Sequence, residues 1–294
     1  MKRNPLSITI LLTLCVVLSA CNSATPVPPT PSATLVPSTP TPTEEPMALK
    51  VNDEGITMVE YQTELTRLQT SQSNLGTTAT ADEQRNRVIE NFTDLLLLEQ
   101  AAQKSGYSVD DAALKSRLDS LATSMGGTDA LSAWETTNGY TAETFQTALK
   151  REIYADYQRD QIINSVPETA DQVHARQILV QDKVNADSLL AQLKAGKDFA
   201  TLASTLDPTT GGDLGWFPQG YLTQSAVEQA AFSLEPGQYS DIIQSDLGYH
   251  IIYVIERDAN HPLSVDARRT LQENKLSQWL KDQKTASQIQ VLVQ

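Results

Sequence analysis

The 294-residue chain carries few side chains suited to covalent or metal chemistry. Its three histidines, His174, His250 and His261, are dispersed, and its two cysteines, Cys15 and Cys21, lie near the N-terminus. No group has metal-ligand spacing, so no metal is expected. Gly211–Phe217 reads GGDLGWF but brings neither the lysine nor the helix start that a phosphate cradle needs. No Gly-x-Ser-x-Gly elbow occurs, and a Ser/His/Asp triad has no support in the spacing. No cofactor is expected either. His250 lies in GYHIIYV (Gly248–Val254), five residues after Ser245, and AAFSLEPGQYSDII (Ala230–Ile243) stands between that phrase and GGDLGWF.

The elements around these phrases alternate between strand and helix signals. Val173–Val180 reads as a strand, Ala186–Ala195 as a helix ended by Gly196, and Asp198–Leu206 as a second helix. Ser225-x-x-Glu228 reads as the cap of a short third helix running to Phe232. Tyr239–Gln244 and Tyr249–Glu256 read as closing strands joined through Ser245–Gly248, and His261, before Pro262, reads as linker. A βααα order with two closing strands suits a small antiparallel α+β domain. Side chains alternate along a strand, so His174 falls on the opposite face from Gln177. Gly211, Gly212 and Gly215 serve backbone geometry, and Asp213 reads as a turn acceptor.

Ahead of that region, Met47–Val166 is proline-free and helical in its periodicity. Val51–Thr57 is an extended lead-in with a turn. Thr57-x-x-Glu60 and Thr80-x-x-Glu83 are capping boxes, and Ser108-x-x-Asp111 opens a third helix. Thr128–Asn138 and Thr141–Asn164 supply a short and a long helix. Behind the α+β region, Ser264–Ser287 is a final helix whose Leu276, Trp279 and Leu280 form a contact stripe, and Ile289–Val293 reads as a closing strand. An exposed Trp-Leu stripe would invite aggregation, so it should be covered.

The N-terminus reads as an export signal. Lys2 and Arg3 precede an apolar run, Leu6–Leu18, too short to span a bilayer. Leu18-Ser19-Ala20-Cys21 resembles the lipobox of bacterial lipoproteins, which implies cleavage before Cys21 and lipidation of its sulfur. Multiple acyl chains there would give stable membrane attachment. Asn22–Pro46 holds eight of the fourteen prolines among Thr and Ser, a composition that cannot bury a core. At about 3.1 Å per residue it reaches up to ~75 Å from a membrane. Loss of the signal takes the net charge from −14 to −16, which argues against nucleic acid as a partner. The expected organisation is a signal over 1–20, a tether over 21–46, a helical domain over 47–168, an α+β domain over 169–259 and a returning segment over 260–294.

The GGDLGWF, AAFSLEPGQYSDII and GYHIIYV phrases, in this order and near this spacing, resemble the parvulin family of peptidyl-prolyl cis/trans isomerases. The helical block, beginning VN-x-x-x-IT, resembles the N-terminal region of SurA-like and PrsA-type foldases. The resemblance implies an α+β chain: a helical chaperone domain with an inserted parvulin-like, FKBP-like α+β domain, the C-terminal segment returning to the N-terminal helices. It assigns His250, Asp207 and Ser245 to the reaction. The family's strand histidine is replaced by Gln177, which hydrogen-bonds but does not titrate near neutrality. Leu214 fits a wall of the proline cup. Val227 stands where the cup usually has an aromatic, by alignment to Phe232, and Leu222 replaces the usual Met.

The function implied is isomerisation of X–Pro bonds, weak or narrow because of Gln177 and Val227, by a membrane-anchored extracytoplasmic lipoprotein. Its partners would be unfolded or nascent exported polypeptides. Two other readings stay open: a non-catalytic chaperone that keeps the parvulin fold for peptide binding, and a lipoprotein assembly scaffold.

Overall fold

The computed structural model describes residues 45–293. The export signal, Cys21 and all of the tether except its last two residues lie outside the described residues. Among the described residues no helix is long and apolar enough to cross a membrane.

The chain opens with a hairpin, β1 (Met47–Val51) and β2 (Glu54–Thr57), turned at Asn52, whose φ is +54°. Five helices follow: α1 (Met58–Leu75), α2 (Ala81–Lys104), α3 (Asp111–Met125), α4 (Thr128–Thr137) and α5 (Ala142–Asn164). Both expected capping boxes form: Thr57 accepts from Glu60 N and Thr80 from Glu83 N, with each glutamate reaching back to its cap N–H. The third helix starts later than the Ser108 cap implied. Asp110 takes that role, accepting from Ala113 N at 2.7 Å, while Val109 N, just ahead of it, donates to Tyr154 Oη at 3.1 Å.

The α+β region begins with β3 (Thr169–Val180), then α6 (Lys183–Lys194) and α7 (Phe199–Leu206). Asp182 caps α6, which starts at Lys183, three residues before the expected Ala186. Next come β4 (Asp213–Pro218), α8 (Ser225–Ser233), β5 (Ile243–Ser245) and β6 (Gly248–Pro262), in an antiparallel sheet ordered β4-β3-β6-β5. The strand β4 corrects the expected order: DLGWFP is an edge strand bent at Gly215, and the glycines in and before it hide the strand signal.

A second correction concerns Tyr239–Gln244. Tyr239 makes a single bridge to Tyr253, and the strand proper starts at Ile243. Here Ser240 Oγ accepts from Ile252 N at 2.9 Å, so a side chain stands in for the backbone carbonyl and the ladder is interrupted. His261 is no linker either. It pairs with Ala170 in the last rungs of β6 and stacks on Trp216 at 4.0 Å.

The two connections of the sheet to the rest of the chain run side by side as rungs Thr169↔Pro262 and Ala170↔His261. The buried Gln172 side chain donates to the His261 and Pro262 carbonyls, at 2.8 and 3.1 Å. Beyond them α9 (Val265–Ala286) returns to the helices and β7 (Ile289–Val291) pairs with β1. The sheet is thus an insertion in a helical body closed by both chain ends. Leu276, Trp279 and Leu280 of α9 pack on Leu98, Ala155 and Ile162. Each such apolar side chain, when fully buried, contributes about 1.5–3 kcal/mol. Lys284 adds ion pairs to Glu90 and Asp94.

Candidate functional site

Alternation along β3 and β6 sorts the sheet into two faces. Val173, Ala175, Ile252 and Val254 share one core with Phe217 and with Val227 and Ala231 of α8. Ile178 and Ile251 belong to the opposite core, under α6 and α7. Gln177 and His250 have the parity of the α8 face, and they meet there. His250 Nδ1 lies 3.0 Å from Gln177 Oε1, and its Nε2 lies 2.6 Å from Ser245 Oγ.

The directions of these bonds are consistent with one neutral tautomer. Gln177 Oε1 only accepts, so Nδ1 carries the proton. Leu247 N donates to Ser245 Oγ at 3.0 Å, and the serine hydroxyl is left to donate to Nε2. Burial pushes the His250 pKa down, and the residue is 2% exposed. The arrangement is an uncharged relay of backbone N–H, hydroxyl, imidazole and amide, buried at the imidazole, half-buried at Ser245 and Gln177 and open to solvent at Leu247.

Leu214 reaches this face through a bulge. Arg176 pairs with Asp213 and Ala175 with Gly215, so two steps of β4 oppose one of β3. Gly215, at φ +67°, supplies the left-handed residue such a bulge requires. The extra residue puts Leu214 in the same core as Phe217, with Leu222, Phe232 and Ile243. Val227 is 3% exposed, a packed floor with little free surface. Phe232 meets Phe217 edge-on at 6.1 Å.

Asp207 sits elsewhere. Its carboxylate accepts from the Thr209 and Thr210 N–H groups at 3.1 Å, from the Thr210 hydroxyl, and from Gly212 N at 3.4 Å. The Thr210 hydroxyl first, then the backbone donors, hold its pKa below the ordinary carboxylate value. No hydrogen bond joins it to His250. Its link to the relay is mechanical: the turn it closes carries Gly212, whose carbonyl accepts from Gln177 N at 2.8 Å. A Cβ at Gly212 would lie 2.1 Å from Gln177 O, so the backbones touch where only glycine fits.

Some features were not read in the sequence. The expected Ser225 box does not form; instead Glu228 turns its carboxylate onto three consecutive N–H groups, Gly220, Tyr221 and Leu222, at 2.7–2.9 Å. Glutamate at the third position after a small polar residue signals a helix cap, and the glycine turn upstream was the sign of its other use. On the far face His174 binds Asp213 at 2.8 Å and lies 5.6 Å from Trp216, as its parity requires. Burial pushes the Asp213 carboxyl up, but the Gly215 N–H and His174 outweigh it, leaving the pKa lowered.

In the helical body a groove of about 710 Å³ runs between α1 and the turn after α4. Its rim includes the exposed Val59 and Leu75, and threonines line its length. Elsewhere in the helical body Glu99 is buried beside Arg151, and burial together with Glu54 pushes its pKa up to about 7.

Residues 161–258 match the family described as a PPIC-type PPIase domain, and residues 36–149 match a SurA-like N-terminal domain. A foldase protein PrsA of Geobacillus sp. (strain WCH70) is 40% identical over 97 residues, covering 31% of this chain and 35% of that protein. A chaperone SurA of Thiobacillus denitrificans is 28% identical over 172 residues, covering 57% of this chain and 38% of that protein. A crystal structure of the peptidylprolyl isomerase PrsA from Bacillus cereus aligns at 23% identity with a TM-score of 0.48, covering 78% of this chain and 85% of that one. The chain spans about a third of the length of the first curated relatives it matches.

Proposed function

From a chain that carries a PPIC-type PPIase domain behind a SurA-like N-terminal domain, we propose a foldase that isomerises X–Pro bonds in exported polypeptides and holds those polypeptides soluble. The observation that carries this reading is the neutral relay Gln177–His250–Ser245 on the same sheet face as the apolar set Leu214, Leu222, Val227 and Phe232.

The barrier to rotation about the peptide bond is ~18–20 kcal/mol, because twisting destroys amide resonance. The twisted amide is less delocalised and less polar than the planar one. An apolar cup that takes the proline ring out of water therefore favours it, and a fixed neutral donor–acceptor chain can follow the change in charge without reorganising. Nothing in this route calls for a nucleophile or a cofactor. Clients would lie along the helical body, where the groove rimmed by Val59 and Leu75 offers a lining mostly of hydroxyl and amide side chains between two apolar ends.

The anchoring reading rests on Leu18-Ser19-Ala20-Cys21: an extracytoplasmic lipoprotein, tethered to a bacterial membrane through Cys21, with the segment 21–46 as spacer. The relatives named PrsA foldase and SurA chaperone support the export setting. Within the folded part the boundaries proposed are 47–168, 169–259 and 260–294.

Two observations favour a second reading, a non-catalytic chaperone whose parvulin fold only binds peptide. Gln177 cannot change charge, and Val227 offers the proline ring a small, buried surface. Proline-limited refolding of an unfolded client separates the two. Acceleration of the slow phase that falls on His250→Ala supports catalysis. No acceleration, with aggregation still suppressed, supports the second reading, and a protein that does neither sinks both.

A further inference from the structure

One peptide plane beside the proline cup is held from both sides. The unit joining Gly220 to Tyr221 presents its N–H to Glu228 Oε2 at 2.9 Å and its carbonyl, Gly220 O, to Asn274 Nδ2 at 2.7 Å. Glu228 belongs to α8, directly after Val227. Asn274 belongs to α9, outside the inserted sheet. Gly220 sits at φ +84°, and a Cβ there would stand 3.4 Å from Leu271 Cδ2 and 3.7 Å from Asn274 Nδ2. The glycine answers to the left-handed backbone of the turn, since a Cβ there would only touch α9 at ordinary contact distance.

The same helix is fastened to the helical body by its other side. Gln272 Nε2 donates to Ile163 O at 3.2 Å, and Leu276, Trp279 and Leu280 pack on α2 and α5. Asn274 lies about 200° round the helix from Leu276, so α9 shows one face to the body and the other to the Gly220 turn. Two residues beyond Gly220 in the turn, Leu222 N is held by the same Glu228 carboxylate at 2.9 Å, and its side chain joins Val227 and Leu214.

We propose that Asn274 is a positioning residue for the proline cup: through the Gly220–Tyr221 peptide and Glu228 it sets the place of Leu222, and so couples the position of α9 in the helical body to the binding of an X–Pro segment. A peptide plane gripped at both ends cannot rotate without losing both bonds, so a shift of α9 is felt at Leu222. A client that loads the helical body and moves α9 would thereby change the cup. The coupling rests on the proposed proline site, and its test separates the two.

The test uses the full chain and two variants at this exposed position, Asn274→Ala and the isosteric Asn274→Asp, which removes the donor and keeps the shape. Amide exchange at Tyr221 and Leu222 and the Kd of a short apolar X–Pro peptide are measured, with kcat where the wild type turns over. Loss of one hydrogen bond of this kind predicts about two- to fivefold faster exchange and a Kd raised by a similar factor. The rate of the bound peptide and the melting temperature should hold. A merely structural role would lower the melting temperature and leave the Kd alone. Unchanged exchange, or faster exchange with an unchanged Kd, overturns the coupling. A wild type that binds no X–Pro peptide sinks the proline site itself, and exchange at Tyr221 still reports whether Asn274 holds the turn.

Discussion

His250 and Gln177 share one hydrogen bond, Nδ1 to Oε1 at 3.0 Å, and that bond selects the tautomer in which Nε2 faces Ser245. A glutamine at this place keeps the imidazole oriented but cannot exchange a proton with it, and it is burial that keeps the ring neutral. Replacing Gln177 by His, together with Val227→Phe, restores a titratable partner and a ring for the cup. Acceleration of proline-limited refolding is expected to rise by at least ~10-fold over wild type, short of the ~10²–10³ that one fully preorganised donor is worth. Equal or lower acceleration in a folded double variant would show that these two positions do not limit the reaction.

The relay also predicts a pH dependence. Burial lowers the folded pKa of His250, so the unfolded chain takes up the proton first. Stability due to the neutral imidazole is complete above about pH 6.5, the ordinary histidine value, and is lost as pH falls through the lowered folded value. Isomerase activity should be flat from high pH down past the ordinary histidine value and fall only as pH passes the lowered folded value. Urea unfolding from pH 5 to 8 should show this loss in wild type and a smaller one in His250→Gln.

Glu99 has the opposite sign. Its pKa is raised from 4.5 to about 7, so the folded state binds the extra proton and stability falls as pH rises through that window. Glu99→Gln should therefore stabilise the protein by about 1–3 kcal/mol at pH 8 and make little difference near the unperturbed carboxyl value. Chemical denaturation at the two pH values reads the difference directly. Arg151 keeps Glu60 as a partner in the variant.

Gly212 is predicted to be the least tolerant glycine of the sheet. With φ +72° and a Cβ only 2.1 Å from Gln177 O, Gly212→Ala forces the Asp207 turn off β3. A loss of about 3 kcal/mol or more is expected, together with loss of X–Pro binding. A variant that melts like wild type would contradict the close approach.

Trp279→Ala tests the closure of the body by the C-terminal helix. Removing a partly buried indole from the contact with Leu98 and Ile162 should cost about 2–4 kcal/mol in a denaturant titration. It should also expose apolar surface to a dye probe, because the covered stripe then faces solvent.

Much of this architecture was legible in local patterns. The Thr57 and Thr80 boxes, the Leu276–Trp279–Leu280 stripe and the parity that separates His174 from Gln177 all depend on residues a few positions apart. Pattern reading failed where a side chain served a distant partner. Glu228 looked like a cap for its own helix and grips Gly220–Leu222 instead. Ser240 looked like a strand residue, yet its hydroxyl replaces a rung. Asp207 is a different case: its place in the reaction came from resemblance, and its carboxylate bonds locally, to groups two to five residues on.

Periodicity, capping residues and glycines depend on backbone geometry within a turn or two, so the linear chain specified the helical body, the α+β insertion and the place of His250 in a strand. The meeting of His250 with Gln177, the bulge that carries Leu214 to the α8 face and the hold of Asn274 on Gly220 each join residues far apart in the chain or hang on a one-residue slip of register. Such contacts are set by how strands register and helices dock, and no local propensity encodes them; they had to be seen in the folded protein.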